Sequence, residues 1–145
     1  MKIKVAGLRE IEQALMEFPK ATARNVLVRV LKKRGQIFAD DMRPRVRVDK
    51  GDLRDSIGVG TKLTKRQSKL NRKQSPVEVY AGAGGLTQAV TEEFGTSDQA
   101  PHPSARPAWD ATKNQMLDGI TDDLKTEVEK ARVRAARKAA KWKKP

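Results

Sequence analysis

The amino-acid sequence predicts an α+β fold in which a small antiparallel sheet packs against long helices. Two observations lead to this prediction. Apolar residues recur at intervals of three and four in two long segments, one near each end of the chain, which is typical of amphipathic helices. Between these segments, apolar and polar residues alternate in two short runs, which is typical of half-buried strands. The 145 residues are the size of one ordinary domain.

The N-terminal third is predicted to hold a short strand and a pair of helices. Apolar and polar residues alternate over residues 2–6, which indicates a strand ended by Gly7. Residues 8–18 follow with apolar positions at helical spacing, and Pro19 interrupts or restarts the helix. A long second helix is predicted to stop before Pro44. Its apolar stripe consists of Ala23, Val26, Leu27, Val30, Leu31, Ile37 and Phe38.

The middle of the chain is predicted to form a hairpin with an unusually long connection. The two alternating runs place Ile57, Val59, Thr61 and Leu63 on one face and Val77, Val79 and Ala81 on the matching face. The connection over residues 64–76 is polar, basic and too long for a tight turn, so we expect a projecting, mobile arm. Glycines within residues 81–85 then indicate a hinge that releases the chain from the sheet.

The last long helix is predicted to begin near Pro107, which suits a first helical turn. We expect a single domain over residues 1–129, with the basic arm at residues 62–75 and a Gly/Pro-rich interface loop at residues 84–106. A basic helical extension is expected over residues 130–145. The buried side of the last helix is predicted to carry Trp109, Met116, Leu117, Ile120, Leu124, Val128 and Ala131.

Two segments account for the net charge of +13. Six bases lie between Lys62 and Lys73, and eight lie between Lys130 and Lys144, with no acidic residue inside either segment. The rest of the chain is therefore close to neutral. Such clusters attract phosphate groups or acidic protein surfaces over about a Debye length. The predicted contacts with DNA or an acidic partner are Lys65, Arg66, Lys69, Arg72, Lys73, Arg134, Arg137, Lys138 and Lys141.

The sequence gives little basis for catalysis, and we predict neither an enzyme nor a cofactor or metal site. The chain has no cysteine, and His102 is its one histidine. Adjacent acid pairs, such as Asp122 and Asp123, point about 100° apart on a helix and do not form an acid/base couple. No apolar run reaches a membrane span of about 18 residues, and no apolar signal core opens the chain, so we expect a soluble protein that is not exported.

Three short motifs, in order, carry a resemblance to a known family. They are Gly51, Leu53, Ser56 and Ile57, then Glu93, Phe94, Gly95 and Thr96, and finally Arg106, Pro107 and Ala108. Over roughly residues 1–125 the chain resembles a family of small proteins from tailed bacteriophages, the tail-completion or head-tail joining proteins of the gene-product-ten type of lambdoid phages. Two features depart from that family. Residues 88–91 lack the tyrosine that relatives tend to carry beside the second motif, and the resemblance does not explain the basic tail after Glu129.

The resemblance implies a structural virion protein, made in the host cytoplasm, that joins the DNA-filled head to the tail as a ring subunit of the neck. It implies a cyclic homo-oligomer, sixfold or twelvefold, that contacts other neck and tail proteins, with non-specific contact to packaged DNA left open. The implied subunit-interface residues are Glu93, Phe94, Gly95, Thr96, Arg106, Pro107 and Trp109.

The alternative is a small nucleic-acid-binding protein that does not read sequence. The segment between Lys62 and Lys73 contains no aromatic residue on which bases could stack, which counts against this alternative.

Overall fold

The computed structural model describes residues 7–143 and is built around two long helices that pack side by side. The described elements are α1 (Leu8–Met16), α2 (Lys20–Met42), a 3-10 turn (Arg43–Arg45), α3 (Asp52–Asp55), β1 (Gly58–Gly60), α4 (Lys65–Leu70), β2 (Tyr80–Gly82), α5 (Thr87–Phe94) and α6 (Ala105–Trp142). The prediction of an α+β fold with long N- and C-terminal helices is confirmed.

Helices α2 and α6 run antiparallel. This orientation follows from their contacts, in which later residues of α2 meet earlier residues of α6. Arg29 forms an ion pair with Glu127, and Arg34 Nε lies 2.6 Å from an oxygen of Asp123. Helix α2 begins directly after Pro19 and ends two residues before Pro44, as the sequence predicted.

The apolar core consists of two clusters along this helix pair. One lies between α1, α2 and the second half of α6, and contains Ile11, Ala14, Val26, Val30, Leu124, Val128 and Ala131. The other lies where α2 meets the sheet, α3 and the start of α6, and contains Phe38, Ala39, Met42, Val46, Leu53, Ile57, Ala108 and Met116. The first motif contributes Leu53 and Ile57 to this second cluster, and the third contributes Ala108, so the cluster brings distant parts of the chain together.

The sheet consists of β1 and β2, which pair antiparallel with Val59 opposite Ala81. The strands are shorter than the alternating runs that predicted them. Gly35 lets the sheet approach α2 closely, since a Cβ at that position would lie 3.2 Å from Cγ1 of Val59. The strand predicted over residues 2–6 lies outside the described residues.

Two segments predicted as irregular contain helices. The connection between the strands holds α4, which begins with a capping box. Thr64 Oγ1 accepts a hydrogen bond from Gln67 N at 3.3 Å, and Gln67 Oε1 accepts one from Thr64 N at 3.2 Å. The segment after the glycines, predicted as a hinge and loop, holds α5. The connection therefore has regular structure over Lys65–Leu70, and the segment expected to be only a hinge and loop contains the helix Thr87–Phe94.

Helix α6 continues through the basic extension to Trp142, and its last buried residue is Ala131. Trp109 was expected on the buried side of α6, but 54% of it is exposed. It packs edge-on against Phe38, with the ring centroids 6.4 Å apart, so it lies at the rim of the core. Within residues 7–143, no helix is both long and apolar enough to cross a membrane.

A candidate subunit interface

The side chain of Glu93 fixes the end of α5 to the beginning of α6. Its Oε2 accepts hydrogen bonds from the backbone N–H groups of Ser104 at 2.8 Å and Ala105 at 2.9 Å. Its Oε1 accepts from both the backbone N–H and the side-chain Nε of Arg106, each at 3.0 Å. These backbone donors belong to the first turn of α6, where N–H groups have no partner within the helix. Glu93 therefore caps α6 from a distance of more than ten residues along the chain.

The electrostatics of this cap favour the ionised carboxylate. Burial of Glu93 raises its pKa, but the hydrogen bonds from Ala105, Ser104 and Arg106 outweigh burial and hold the pKa below its ordinary value. The guanidinium of Arg106 also donates to the backbone carbonyl of Glu93 at 2.7 Å. The two residues thus form a bidentate connection between α5 and α6.

Gly95 makes the tight turn that follows α5. Its φ is 76° and its ψ is −179°, a combination that is open essentially only to glycine. A Cβ at this position would lie 2.7 Å from the carbonyl oxygen of Gln99 and 2.9 Å from the nitrogen of Pro101. Thr96 bonds locally, as its residue type suggested, since its Oγ1 accepts from Asp98 N at 3.3 Å. The turn is therefore compact and has no room for another residue at Gly95.

Helix α5 exposes an apolar face next to this turn. Leu86, Val90 and Phe94 follow one another at intervals of four, so they lie on one side of α5, and Leu70 at the end of α4 adjoins them. The exposed fractions are 85% for Leu70, 39% for Leu86, 57% for Val90 and 66% for Phe94. We call these four residues the α5 apolar surface. They line a shallow groove of about 340 Å³ with Phe38 and Met42 at its base.

Arg106 lies over the ring of Phe94. Its guanidinium carbon lies 5.1 Å from the centroid of the Phe94 ring, within the range of a cation–π contact. The Glu93–Arg106 pair therefore also restricts the position of Phe94. Phe94 thus keeps this contact although two thirds of it is exposed.

The residues predicted at the subunit interface do not all lie together in the structure. Glu93, Phe94, Gly95, Thr96 and Arg106 are close in space, but the side chain of Glu93 is already used within the chain. Pro107 is half-buried in the first turn of α6.

Trp109 lies in a second apolar groove, of about 400 Å³, between α2, α6 and β2. Its lining includes Leu31, Phe38, Val79, Met116 and Ile120. Phe38 lines both grooves and lies between them.

The predicted basic contacts lie on two exposed helices. Lys65, Arg66 and Lys69 lie on α4, beside the α5 apolar surface, and Arg66 Nη1 donates to Thr87 Oγ1 at 3.0 Å. Arg72 and Lys73 follow α4 and are exposed. Arg134, Arg137, Lys138 and Lys141 are exposed on the extension of α6.

Ser56 of the first motif connects two segments next to the site. Ser56 Oγ donates to the carbonyl of Leu53 at 2.7 Å and accepts from Gly84 N at 3.1 Å, so it ties the turn before β1 to the segment after β2. That segment leads directly into α5. The three motifs are thus connected through contacts: Ser56 bonds to the segment before α5, and Glu93 at the end of α5 bonds to the first turn of α6.

Leu70, Leu86 and Val90 were not predicted as interface residues from the sequence. The spacing of Leu86, Val90 and Phe94 indicates a shared face once residues 87–94 are taken as a helix, whereas Leu70 on α4 is outside this pattern. In the part of the chain that the structure describes, no group of histidine or acidic side chains could hold a metal ion.

An exposed apolar surface of this kind is typical of a protein that acts through contact with other proteins. The family model described as "Bacteriophage HK97-gp10, putative tail-component" matches residues 9–95. The chain belongs to this HK97-gp10-like family of phage tail components, which are structural proteins of the virion. No curated protein and no solved structure matches the chain.

Proposed function

We propose that this chain is a ring subunit in the neck of a tailed phage, where it joins the DNA-filled head to the tail. Its mechanism is assembly and involves no catalysis. The observation that carries the proposal is the α5 apolar surface, which is exposed and lies next to the Glu93 cap and the Gly95 turn. Membership of a family of phage tail components supports a role among tail proteins.

The α5 apolar surface suits a contact between copies of the chain. A closed ring uses a heterologous interface, in which one surface of each subunit binds a different surface of the next. A preorganised aromatic such as Phe94 lowers the entropy lost on binding, and aromatic residues are common anchors at the centres of interfaces. The bases of α4 flank this surface and would form its polar rim, where charges mainly govern association rate and salt dependence.

The test compares the assembly of Phe94→Ala with that of a matched control. Met16→Ala also removes a large exposed side chain, of which 74% is accessible, but it lies on α1 beside the other core cluster. We expect wild type and Met16→Ala to form a ring of defined mass in sedimentation and electron microscopy. Phe94→Ala should assemble about 30-fold more weakly, corresponding to about 2 kcal/mol.

Circular dichroism should show that all three proteins remain folded, because Phe94 makes few core contacts. Mixing each protein with neck-deficient heads and tails then measures joining directly. A Phe94→Ala protein that assembles and joins heads to tails like wild type would contradict the proposal, and so would a wild-type chain that stays monomeric both alone and on the particles.

A further inference from the structure

The extension of α6 carries its bases in an ordered pattern. Successive residues of a helix are rotated by about 100°, so residues spaced by three, four and seven share a face. Five bases fall within an arc of about 100°, and we call them the basic stripe: Lys130, Arg134, Arg137, Lys138 and Lys141. Arg132 and Lys143 lie about half a turn away, on the opposite side of the helix.

The basic stripe has few counter-charges in the chain itself. Lys130 Nζ lies 3.2 Å from Glu127, but among residues 7–143 no ion pair involves Arg134, Arg137, Lys138 or Lys141. Every residue from Arg132 to Lys143 is exposed. Same-sign charges spaced by three or four residues destabilise an isolated helix, so a polyanion that neutralises them should stabilise the extension.

Two acidic residues lie on the same face of α6 as the basic stripe, and both are paired with bases of α2. Toward its N-terminus the same face contains Glu127 and Asp123, whose charges are compensated by Arg29 and by Lys33 and Arg34 of α2. An extended polyanion could therefore lie along this side of the helix pair without meeting an unpaired carboxylate from these two residues.

We propose that the basic stripe is a contact site for the phosphate backbone of duplex DNA, without sequence readout. The centres of protein interfaces are depleted in charged residues and enriched in aromatic ones, whereas the arc of the stripe contains no apolar side chain within residues 130–142. Single-stranded nucleic acid binds by stacking on aromatic rings, and Trp142 lies outside the arc. Duplex DNA presents one negative charge per about 1.7 Å of its axis, and about 18 Å of helix carries the five bases. Phosphate contacts of this kind position a protein but do not specify sequence.

The test uses the full chain and a matched pair of double variants. Arg137→Gln with Lys141→Gln removes two charges from the stripe, and Arg132→Gln with Lys143→Gln removes two from the opposite face. Each lowers the net charge by two, from +13 to +11. Binding to a 30-base-pair duplex of mixed sequence is measured by fluorescence anisotropy over a series of salt concentrations.

We expect the stripe variant to lower the slope of log affinity against log salt by about 1.8, since each phosphate contact contributes about 0.9. At 0.1 M salt this corresponds to roughly 60-fold weaker binding if the affinities converge at 1 M. The opposite-face variant should lose less than about threefold. Amide exchange over residues 132–142 should slow when duplex is added to the wild-type chain.

Three results would overturn the proposal. Equal losses in the two variants would show that only net charge matters. Tighter binding to single-stranded DNA, abolished by Trp142→Ala, would assign the extension to base stacking. Binding to polyglutamate with the affinity and salt slope of duplex DNA would assign it to acidic proteins. The proposal is independent of ring formation, because the same variants should assemble like wild type when sedimented without DNA.

Discussion

Replacing Glu93 by glutamine should destabilise the chain strongly, although the two side chains have the same shape. All four hydrogen bonds that the carboxylate receives come from N–H donors of Ser104, Ala105 and Arg106. A glutamine amide has one oxygen, so its NH2 group must face two of these donors. A buried donor without an acceptor costs about 1–3 kcal/mol. We therefore expect a loss of about 3 kcal/mol, or a decrease in Tm of about 10 °C for a chain of this length.

The pH dependence gives a second readout. Because the pKa of Glu93 is lower in the folded chain, its ionised form contributes stability that is present above the ordinary carboxyl value of 4.5 and is lost as pH falls through the folded pKa. The difference in Tm between wild type and Glu93→Gln should therefore be full at pH 7 and should shrink below about pH 4.

Glu129→Gln, on an exposed position of α6, serves as the control and should melt within about 1 °C of wild type. A Glu93→Gln protein that melts like this control at pH 7, or a difference that stays constant down to pH 2, would refute the capping role.

Three further substitutions or deletions test other parts of the structure. Gly95→Ala should lower the free energy of unfolding by about 2 kcal/mol or more in thermal melts, because it combines a disfavoured backbone conformation with close contacts. At Gly58 an added Cβ meets no atom within 4 Å, so Gly58→Ala should cost less than about 1 kcal/mol. Equal effects of the two substitutions would contradict a specific role for the turn. Deleting residues 133–145 should change Tm by less than about 2 °C, since the last buried residue of α6 precedes them, and an unfolded product would show that the extension completes the core. Asp123→Asn should lower stability by about 1 kcal/mol in urea denaturation at pH 7. Hydrogen bonding from Arg34 holds the pKa of Asp123 below 3.8, so this difference should fade as pH drops through the folded pKa, and a difference that persisted at pH 2 would rule out the ion pair as its source.

The long helices and the pairing of the strands were predictable because each depends on local periodicity. The stripe of α2 is interrupted only at Arg34, and Pro19 and Pro44 mark its limits in the sequence itself. Helix α4 also had a local signal, since Thr64 and Gln67 form the pattern of a capping box, but the density of bases around it favoured a mobile arm.

Other features depend on contacts between distant residues and have no local signal. Leu86 precedes α5 without a side-chain cap, so the beginning of this helix is not marked in the sequence. The role of Glu93 requires the first turn of α6 to lie beside the last turn of α5. The spacing of apolar residues within each helix does not predict that the two turns are close. For the same reason, Trp109 fits the apolar spacing of α6 but lies where the helix passes the edge of the core.

The residues of the second motif have two different roles, one within the subunit and one at its surface. Glu93 and Gly95 are used within the subunit, one to cap α6 and one to make the turn, and neither offers a large surface to a partner. Phe94 lies between them and points away from the core, with Arg106 against its ring. A side chain flanked by two strongly constrained positions loses little conformational freedom when a neighbour covers it, so more of its contact free energy is available for association. On this argument, Glu93→Gln should weaken assembly as well as folding, and the assembly defect should appear at temperatures where the variant is still folded.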